Sequence, residues 1–372
     1  MTATVTRDAT PDTRPSTTEV AVTGAPAAQA ASLGTPRPGG PAPGASAPRP
    51  LLPGARGPLS EALLAVLTGA AAALPESVGT PDPYGEDLQL ALHLAYELHY
   101  RPLRGVDPDL EWDPEVLRFR RLLEREFLAA LRADVAGGDD VDAVLEPLLV
   151  EPVDGTGASW HLARVGDRAQ LREYVVQRSI YHLKEGDPQS WAVPRLEGQA
   201  KASLVTVQHD EYGAGRVERM HAQLFVEMMR ELELDPTYGR YVDIAPAVTL
   251  APVNFMSMAG LHRTLLGAAV GQFAMIEVTS SPGSRRMSSA FERLYDGNAG
   301  RRFYDEHVEA DAVHEQLMRR GLLQDLLQRE PHLAADVVLG IQAGLLLEDR
   351  FGGHLLARWT AGESSLRAPL SA

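Results

Sequence analysis

The chain has 372 residues, a formal net charge of −15 and no cysteine. Without cysteine it has no disulfide, cysteine-ligated zinc, iron–sulfur cluster or thiol nucleophile, so any metal must be held by histidine and carboxylate, which favours iron, manganese or zinc. The negative charge repels phosphate backbones and disfavours a nucleic-acid partner.

The first 57 residues are rich in Ala, Pro, Thr, Gly and Ser and carry few large apolar side chains. Such a segment cannot bury enough apolar area to offset the entropy lost on ordering, so we predict a disordered leader over 1–57. It has no apolar core of a secretory signal, and no apolar run of the chain reaches the roughly 18 residues that span a bilayer. We therefore expect a cytoplasmic protein without a membrane partner.

From Leu59 onward the apolar residues recur at helical spacing, without the alternation typical of strands. The pair Asp113–Pro114 predicts a capped helix start, and the all-round apolar segment 252–281 predicts a helix buried inside a bundle. We predict an all-α fold with one helical domain over 58–361 and a tail over 362–372. The predicted helices cover 59–74, 87–103, 113–135, 140–152, 168–185, 196–212, 216–234, 252–281, 301–328 and 331–359.

The most informative segment contains His307, Asp311 and His314, which are four and three residues apart. On a helix these side chains lie within about 60° of one another, with a total axial rise of about 10 Å. Two metal ions a few ångströms apart use ligands spread over that length more easily than one ion does, as in bundle di-iron sites. The alternative is a solvated helix face, because other acidic residues surround the three.

A second candidate pair is Glu211 and His221, which are ten residues apart. A straight helix would separate them by about 15 Å, too far for one compact site. Gly213 and Gly215 lie between them, and a glycine inside a helix costs about 1 kcal/mol and is typical of a kink or break. We predict a break that brings the two side chains together. Taken singly, a surface acid and a core histidine are the more ordinary interpretations.

Glu185 is the third candidate and lies near the C-terminal end of a helix, after an apolar stripe. The helix dipole disfavours an anion at that end, and a metal ion would offset this effect. An acidic side chain facing water is the ordinary alternative.

Together these residues resemble the ligand pattern of the haem-oxygenase-like di-iron oxidases, also called iron-containing redox enzymes. That family has a Glu on its first core helix, a Glu followed ten residues later by a His, and a last core helix with His (or Glu), Asp and His. The motifs match from about Arg172 to His314. The resemblance implies a haem-oxygenase-like helical bundle with six metal ligands, Glu185, Glu211, His221, His307, Asp311 and His314.

The resemblance also implies how the ligands divide. One iron ion would take Glu185, His221 and His314, and the other Glu211, His307 and Asp311. A His at position 307 is similar to the N-oxygenating members. No cupin domain follows the bundle, unlike in the N-nitrosating members, so the chain looks closer to the stand-alone N-oxygenases of bacterial natural-product pathways.

The cofactors implied by this resemblance are two Fe(II) ions, with O2 as cosubstrate and an external reductant. The implied chemistry is attack of a peroxo species on the nitrogen of a small-molecule amine substrate. A reductase and a second copy of the chain, as a homodimer, are the protein partners that the resemblance allows.

Other functions remain open at this point. The same site is compatible with desaturation or oxidative C–C cleavage of an amino or fatty acid. A non-enzymatic alternative is a helical metal-binding or interaction scaffold with incidental histidines. A nucleophilic hydrolase is disfavoured because the sequence has no Gly-x-Ser-x-Gly elbow.

Two sets of side chains are candidates for contact with a substrate. Core packing is the preferred interpretation of the first set, with a pocket wall as the alternative: Phe255, Met258, Leu261, Leu265 and Phe273. Surface ion pairs are preferred over a carboxylate anchor for the second set: Arg263, Arg301 and Arg302.

Overall fold

The computed structural model describes residues 49–151 and 155–370, except for the side chains of residues 311 and 312. Within these residues the chain is helical and has no β-strand, which confirms the all-α prediction. The α-helices are α1 (Pro58–Leu67), α2 (Glu86–Glu97), α3 (Pro114–Asp134), α4 (Val141–Leu145), α5 (Ala158–Arg164), α6 (Arg168–His182), α7 (Asp187–Ser190), α8 (Gly198–Glu211), α9 (His221–Glu231), α10 (Ala247–Leu261), α11 (Leu266–Leu294), α12 (Ala299–Gln316), α13 (Gln324–Arg329) and α14 (Ala334–Thr360).

Arg56 anchors the chain just before α1. Its guanidinium donates hydrogen bonds to Glu86 Oε2 at 2.7 Å and to the Val242 carbonyl at 2.5 Å, and its side chain is buried. This anchor falls within the predicted leader over 1–57. The greater part of that leader, residues 1–48, lies outside the described residues.

Helix starts follow the local signals in the sequence. Asp113 accepts hydrogen bonds from the backbone N–H groups of Glu115 and Val116 at the start of α3, as its Asp–Pro pair predicts. Asp167 and Gln170 form a reciprocal capping box at the start of α6. These caps satisfy N–H groups that have no partner within the helix.

The apolar segment predicted as one helix over 252–281 is two helices, so that prediction is wrong. Helix α10 ends at Leu261, and a 3₁₀ turn over Arg263–Leu265 precedes α11. Arg195 donates hydrogen bonds to the carbonyls of Gly260 and Leu261, which are among the last of α10. The break is therefore stabilised by a side chain distant in sequence, and it falls at the polar residues His262, Arg263 and Thr264 within the apolar segment.

Helix α11 is central to the bundle and packs most extensively against α12 and α14. Gly271 on α11 and Gly340 on α14 allow the second of these contacts, because a Cβ on either would overlap backbone atoms of the opposite helix. Within the described residues, each helix is too short or too polar to cross a bilayer.

Helix α12 continues directly into a π-helical turn over Leu317–Leu323 and then into α13. The sequence predicts a single helix over 301–328, which matches this path apart from the change in winding. π-helical turns are rare and are frequent near functional sites. This one follows His314 by three residues.

Candidate metal centre

Glu185 lies on a turn held by three polar contacts, just beyond the end of α6 at His182. Arg101 donates to the Leu183 carbonyl at 3.0 Å, and Gln208 donates to the Gly186 carbonyl at 2.9 Å. The buried Lys184 ammonium donates to Glu97 Oε1 at 2.5 Å. The prediction that the helix itself carries Glu185 is therefore wrong by one turn. These contacts fix the segment that carries the carboxylate.

The predicted break between Glu211 and His221 is confirmed. Helix α8 ends at Glu211, and the next residues, Gly213, Ala214 and Gly215, have φ angles of 68°, 52° and 76°. This left-handed backbone reverses the chain, and α9 begins at His221. The Nδ1 atom of His221 consequently lies 3.0 Å from Glu211 Oε2.

Replacing Gly213 by alanine should disturb this turn. A Cβ at position 213 would lie 2.5 Å from the Met220 backbone nitrogen, so the residue next to His221 must move. This overlap and the left-handed φ both disfavour alanine, so we expect a loss of about 2 kcal/mol or more in the free energy of unfolding. Chemical denaturation and iron content measure the two effects.

The matched control for that variant is Gly215→Ala. Residue 215 is also left-handed, but a Cβ there has no atom within 4 Å. The Gly215→Ala protein should therefore lose about 1 kcal/mol in the free energy of unfolding and retain its iron. Equal effects of the two variants on iron content would contradict the proposed role of the Gly213 contact.

Helix α12 directs His307 and His314 into the protein interior, where both are buried. His307 Nδ1 donates to the Phe303 carbonyl at 2.7 Å, so in the neutral tautomer its Nε2 carries the lone pair. That Nε2 lies 3.6 Å from Glu185 Oε1. The side chain of Asp311, the other predicted ligand of this helix, lies outside the described residues.

Two groups of three buried side chains emerge from this arrangement. Within each group, one ligand atom per residue lies within 4.8 Å of the others: Glu185, His221 and His307 form the first group, and Glu211, Glu277 and His314 form the second. The contact between Glu211 and His221 joins the groups. The grouping differs from the division that the resemblance implies, because His307 lies with Glu185 and His221, and His314 lies with Glu211.

Glu277 on α11 is the residue that the sequence prediction missed. Its Oε2 atom accepts from His314 Nδ1 at 3.0 Å, and the side chain is 5% exposed. The signal was present, since Glu277 is the single carboxylate of the apolar segment 252–281. An isolated acid in such a segment rarely stays buried without a partner.

Two polar side chains border the groups without belonging to them. His182 Nδ1 donates to Glu185 Oε1 at 2.8 Å and orients that carboxylate. Asp210 Oδ2 lies 3.3 Å from His314 Nε2. The sequence prediction included neither residue.

The donor atoms of the two groups fit bound cations. Glu185 Oε2 is buried and has no hydrogen-bond partner among the described residues, whereas Glu211 Oε2 and His221 Nδ1 are buried and lie 3.0 Å from each other. A buried polar atom without a partner costs about 1–3 kcal/mol, which coordination of a cation would offset. Histidine nitrogen and carboxylate oxygen are a donor set suited to iron, so the residues fit two iron ions.

The charges within the centre interact strongly. Burial raises the pKa of the Glu185 carboxyl, but the imidazoles of His182 and His307 outweigh it and hold that pKa well below its usual range. Burial lowers the pKa of His314, yet Glu277 outweighs it and raises this pKa to about 9. Burial likewise opposes protonation of His221, and the charge of Glu211 raises its pKa. A bound cation would replace the protons that these histidines hold.

A cavity of about 290 Å³, called the substrate cavity below, adjoins the centre. Glu185 and His307 of the first group and Glu211 and Glu277 of the second line one part of it. Apolar side chains form much of the remaining wall: Met256, Met275, Ile276, Met287, Phe303 and Leu345. Arg178 and Glu348 also line it and form a bidentate ion pair at 3.0 and 2.7 Å. The shape and lining are typical of a small-molecule site.

The side chains weighed as substrate contacts are placed as their preferred interpretations predict, except that Arg263 has no ion pair among the described residues. The apolar set packs in the hydrophobic core: Phe255, Met258, Leu265 and Phe273 are buried there, and Leu261 is partly buried against it. Arg301 and Arg302 form ion pairs with Glu292 and Glu227, and Arg263 is exposed.

Comparison with known proteins gives one family. Residues 172–349 match a family model described as iron-containing redox enzyme. The matched segment runs from α6 to α14 and includes all six predicted ligands and Glu277. No curated protein matches the chain. The predicted resemblance is therefore confirmed over just under half of the chain.

Proposed function

We propose that this chain, which belongs to the iron-containing redox enzymes over residues 172–349, is a cytoplasmic non-haem di-iron oxidase that oxygenates an amine nitrogen. The observation that carries the proposal is the pair of buried histidine–carboxylate groups joined at Glu211 and His221. Their position beside the substrate cavity supports chemistry on a bound small molecule. As in the stand-alone members that it resembles, we place the reaction in natural-product biosynthesis.

The overall reaction of an amine N-oxygenase defines what the site needs. R–NH2, O2, two electrons and two protons give R–NHOH and water, so an external reductant, such as a reductase partner, supplies two electrons in each turnover. Two iron ions bound by the two groups would supply open coordination positions for O2 and the capacity to pass on these electrons.

The protein residues supply geometry around those ions. The Phe303 carbonyl orients His307, and His182 orients Glu185, so ligands of the first group are fixed by partners outside it. Replacing an outer partner of this kind typically lowers metal affinity or activity by about 10–100-fold. Glu211 of the second group also contacts His221 of the first, so its carboxylate would help to hold the ions of both groups.

The substrate cavity supplies binding and exclusion of water. Its methionine, phenylalanine and leucine side chains offer an apolar wall, whereas the Arg178–Glu348 pair presents both charges to a ligand. The buried Tyr304 hydroxyl also lines the cavity and has no hydrogen-bond partner among the described residues. It is therefore placed to bind a polar atom of the substrate and orient it toward the centre.

Nitrogen oxygenation is preferred over desaturation or C–C cleavage because position 307 is a histidine, as in the N-oxygenating members that the sequence resembles. A metal-free scaffold is disfavoured, since it would leave Glu185 Oε2 buried without a partner and would bury the carboxylates of Glu185, Glu211 and Glu277 without a cation.

The test is reconstitution of the purified chain with Fe(II) without oxygen, followed by O2 and a panel of amines. We expect about two irons per chain and a hydroxylamine whose oxygen comes from ¹⁸O2, detected by mass spectrometry. Protein loaded with Zn(II) should give no product. An alkene or a shortened carbon chain would favour the alternative reactions, and failure to bind iron would favour the scaffold.

A further inference from the structure

A second cavity also reaches the candidate centre. It has a volume of about 250 Å³, and among the described residues it shares no lining residue with the substrate cavity. Helix α12 lies between the two, because His307 faces the substrate cavity while Glu306 and Glu309 line the second one. We call it the acidic cavity.

The apolar wall distinguishes the two cavities, because carboxylates line both but no large apolar side chain is among the described residues that line the acidic cavity. The acidic cavity is lined by three carboxylates, Asp210, Glu306 and Glu309, and by one arginine, Arg219. The two glutamates are exposed to solvent. A concave surface with excess negative charge concentrates cations from solution and raises their association rate. It is a poor route for an apolar molecule.

The wall of the acidic cavity includes a member of the first ligand group and a side chain that contacts the second group. His221 of the first group is 1% exposed, and its Nδ1 lies 3.0 Å from Glu211 Oε2 of the second group. Asp210 lies against the second group, with its Oδ2 atom 3.3 Å from His314 Nε2. A cation in this cavity is therefore one side chain away from either group.

Asp210 has the exposure expected of such a link. Its side chain is 45% exposed, whereas the His314 side chain that it contacts is fully buried. One carboxylate therefore contacts solvent and the interior together. Carboxylate oxygen binds divalent cations without demanding a fixed geometry, so Asp210 is suited to transient coordination.

We propose that the acidic cavity is the loading site through which ferrous ions reach the centre. Glu306 and Glu309 attract the hydrated cation, and Asp210 and His221 transfer it to the two groups. This inference rests on the proposed metal centre. It assigns the acidic cavity to the metal and leaves the substrate cavity to the organic substrate.

The experiment is stopped-flow mixing of the metal-free full chain with Co(II) alone, followed by the visible absorption of the bound ion. The variant is Glu306→Gln/Glu309→Gln, which removes two charges without shortening the side chains. The matched control is Glu61→Gln/Glu76→Gln, a change of equal charge at two exposed residues that line neither cavity.

We expect the cavity variant to bind Co(II) about 10-fold more slowly than the control at low ionic strength, since steering of this kind is worth about 10–1,000-fold in rate. Added salt should slow the wild type more than the variant. The final Co(II) stoichiometry and the melting temperature should match the control, because neither glutamate belongs to a ligand group.

Association rates equal to the control would overturn the loading route while leaving the proposed function intact. A loss of Co(II) stoichiometry in the variant would also overturn it, since the glutamates would then be ligands. If the wild type binds no Co(II) and no Fe(II), the metal centre itself is wrong, and the loading route falls with it.

Discussion

Replacing Glu211 by glutamine is expected to remove both metal ions. Glu211 belongs to the second group, and its Oε2 lies 3.0 Å from His221 of the first, so its carboxylate serves both. Glutamine keeps the size of the side chain but loses the charge and one ligand oxygen. Replacing a residue that only contacts a ligand typically lowers metal affinity by roughly 10–100-fold, and we expect a larger fall here at both metal sites.

The measurement for Glu211→Gln is iron content after desalting, together with calorimetric titration by Fe(II) without oxygen. Iron should fall from about two per chain to well below one, and N-oxygenation should fall to background. Glu197→Gln is the control, because Glu197 is an exposed acid at the start of the same helix. A Glu211→Gln protein that keeps two irons would remove Glu211 from the centre.

The convergence of Glu211 and His221 illustrates what local chemistry reveals. Gly213 and Gly215 are the residues that a left-handed turn requires, so the break is readable from the sequence, and the structure places it there. Helix caps at Asp113 and Asp167 are similarly local. In each case the signal and the structure lie within about ten residues of each other.

The features that the sequence did not reveal depend on distant contacts. Helix α10 ends where Arg195 binds its last carbonyls, and the turn at Glu185 depends on Glu97 at the end of α2 and on Arg101 just beyond it. Glu277 is one acid in an apolar segment, and its role becomes visible only when α11 and α12 bring it to His314. Periodicity describes a helix face but not the partner that the face meets.

The division of the ligands between two ions follows the same rule. The resemblance supplies the residue types and spacings of a family, whereas the grouping depends on how far α9 and α12 are offset along each other. His221 and His307 have ring centroids 4.3 Å apart, and His314, two turns further along α12, contacts α11 through Glu277. The first contact places two histidines in one group and leaves the third in the other.

Double histidine replacements should separate the two divisions. If the structural grouping governs binding, His221→Ala/His307→Ala removes two ligands of one group and leaves the second group intact. That protein should keep about one iron per chain. His221→Ala/His314→Ala damages both groups and should keep close to none. The division implied by the family resemblance assigns His221 and His314 to one ion and His307 to the other. It therefore predicts that the His221/His314 variant keeps about one iron and that the His221/His307 variant keeps close to none.

Iron content and Co(II) absorption measure the outcome, with His332→Ala as the control because His332 is exposed and lies outside both groups. The comparison depends on the difference between two double variants that each remove two imidazoles, so a general loss of stability affects both alike. Retention of one iron by the His221/His314 variant, with none in the His221/His307 variant, would contradict the structural grouping. The opposite result would assign His221 and His307 to one ion and His314 to the other, which is the grouping that places Glu277 beside His314.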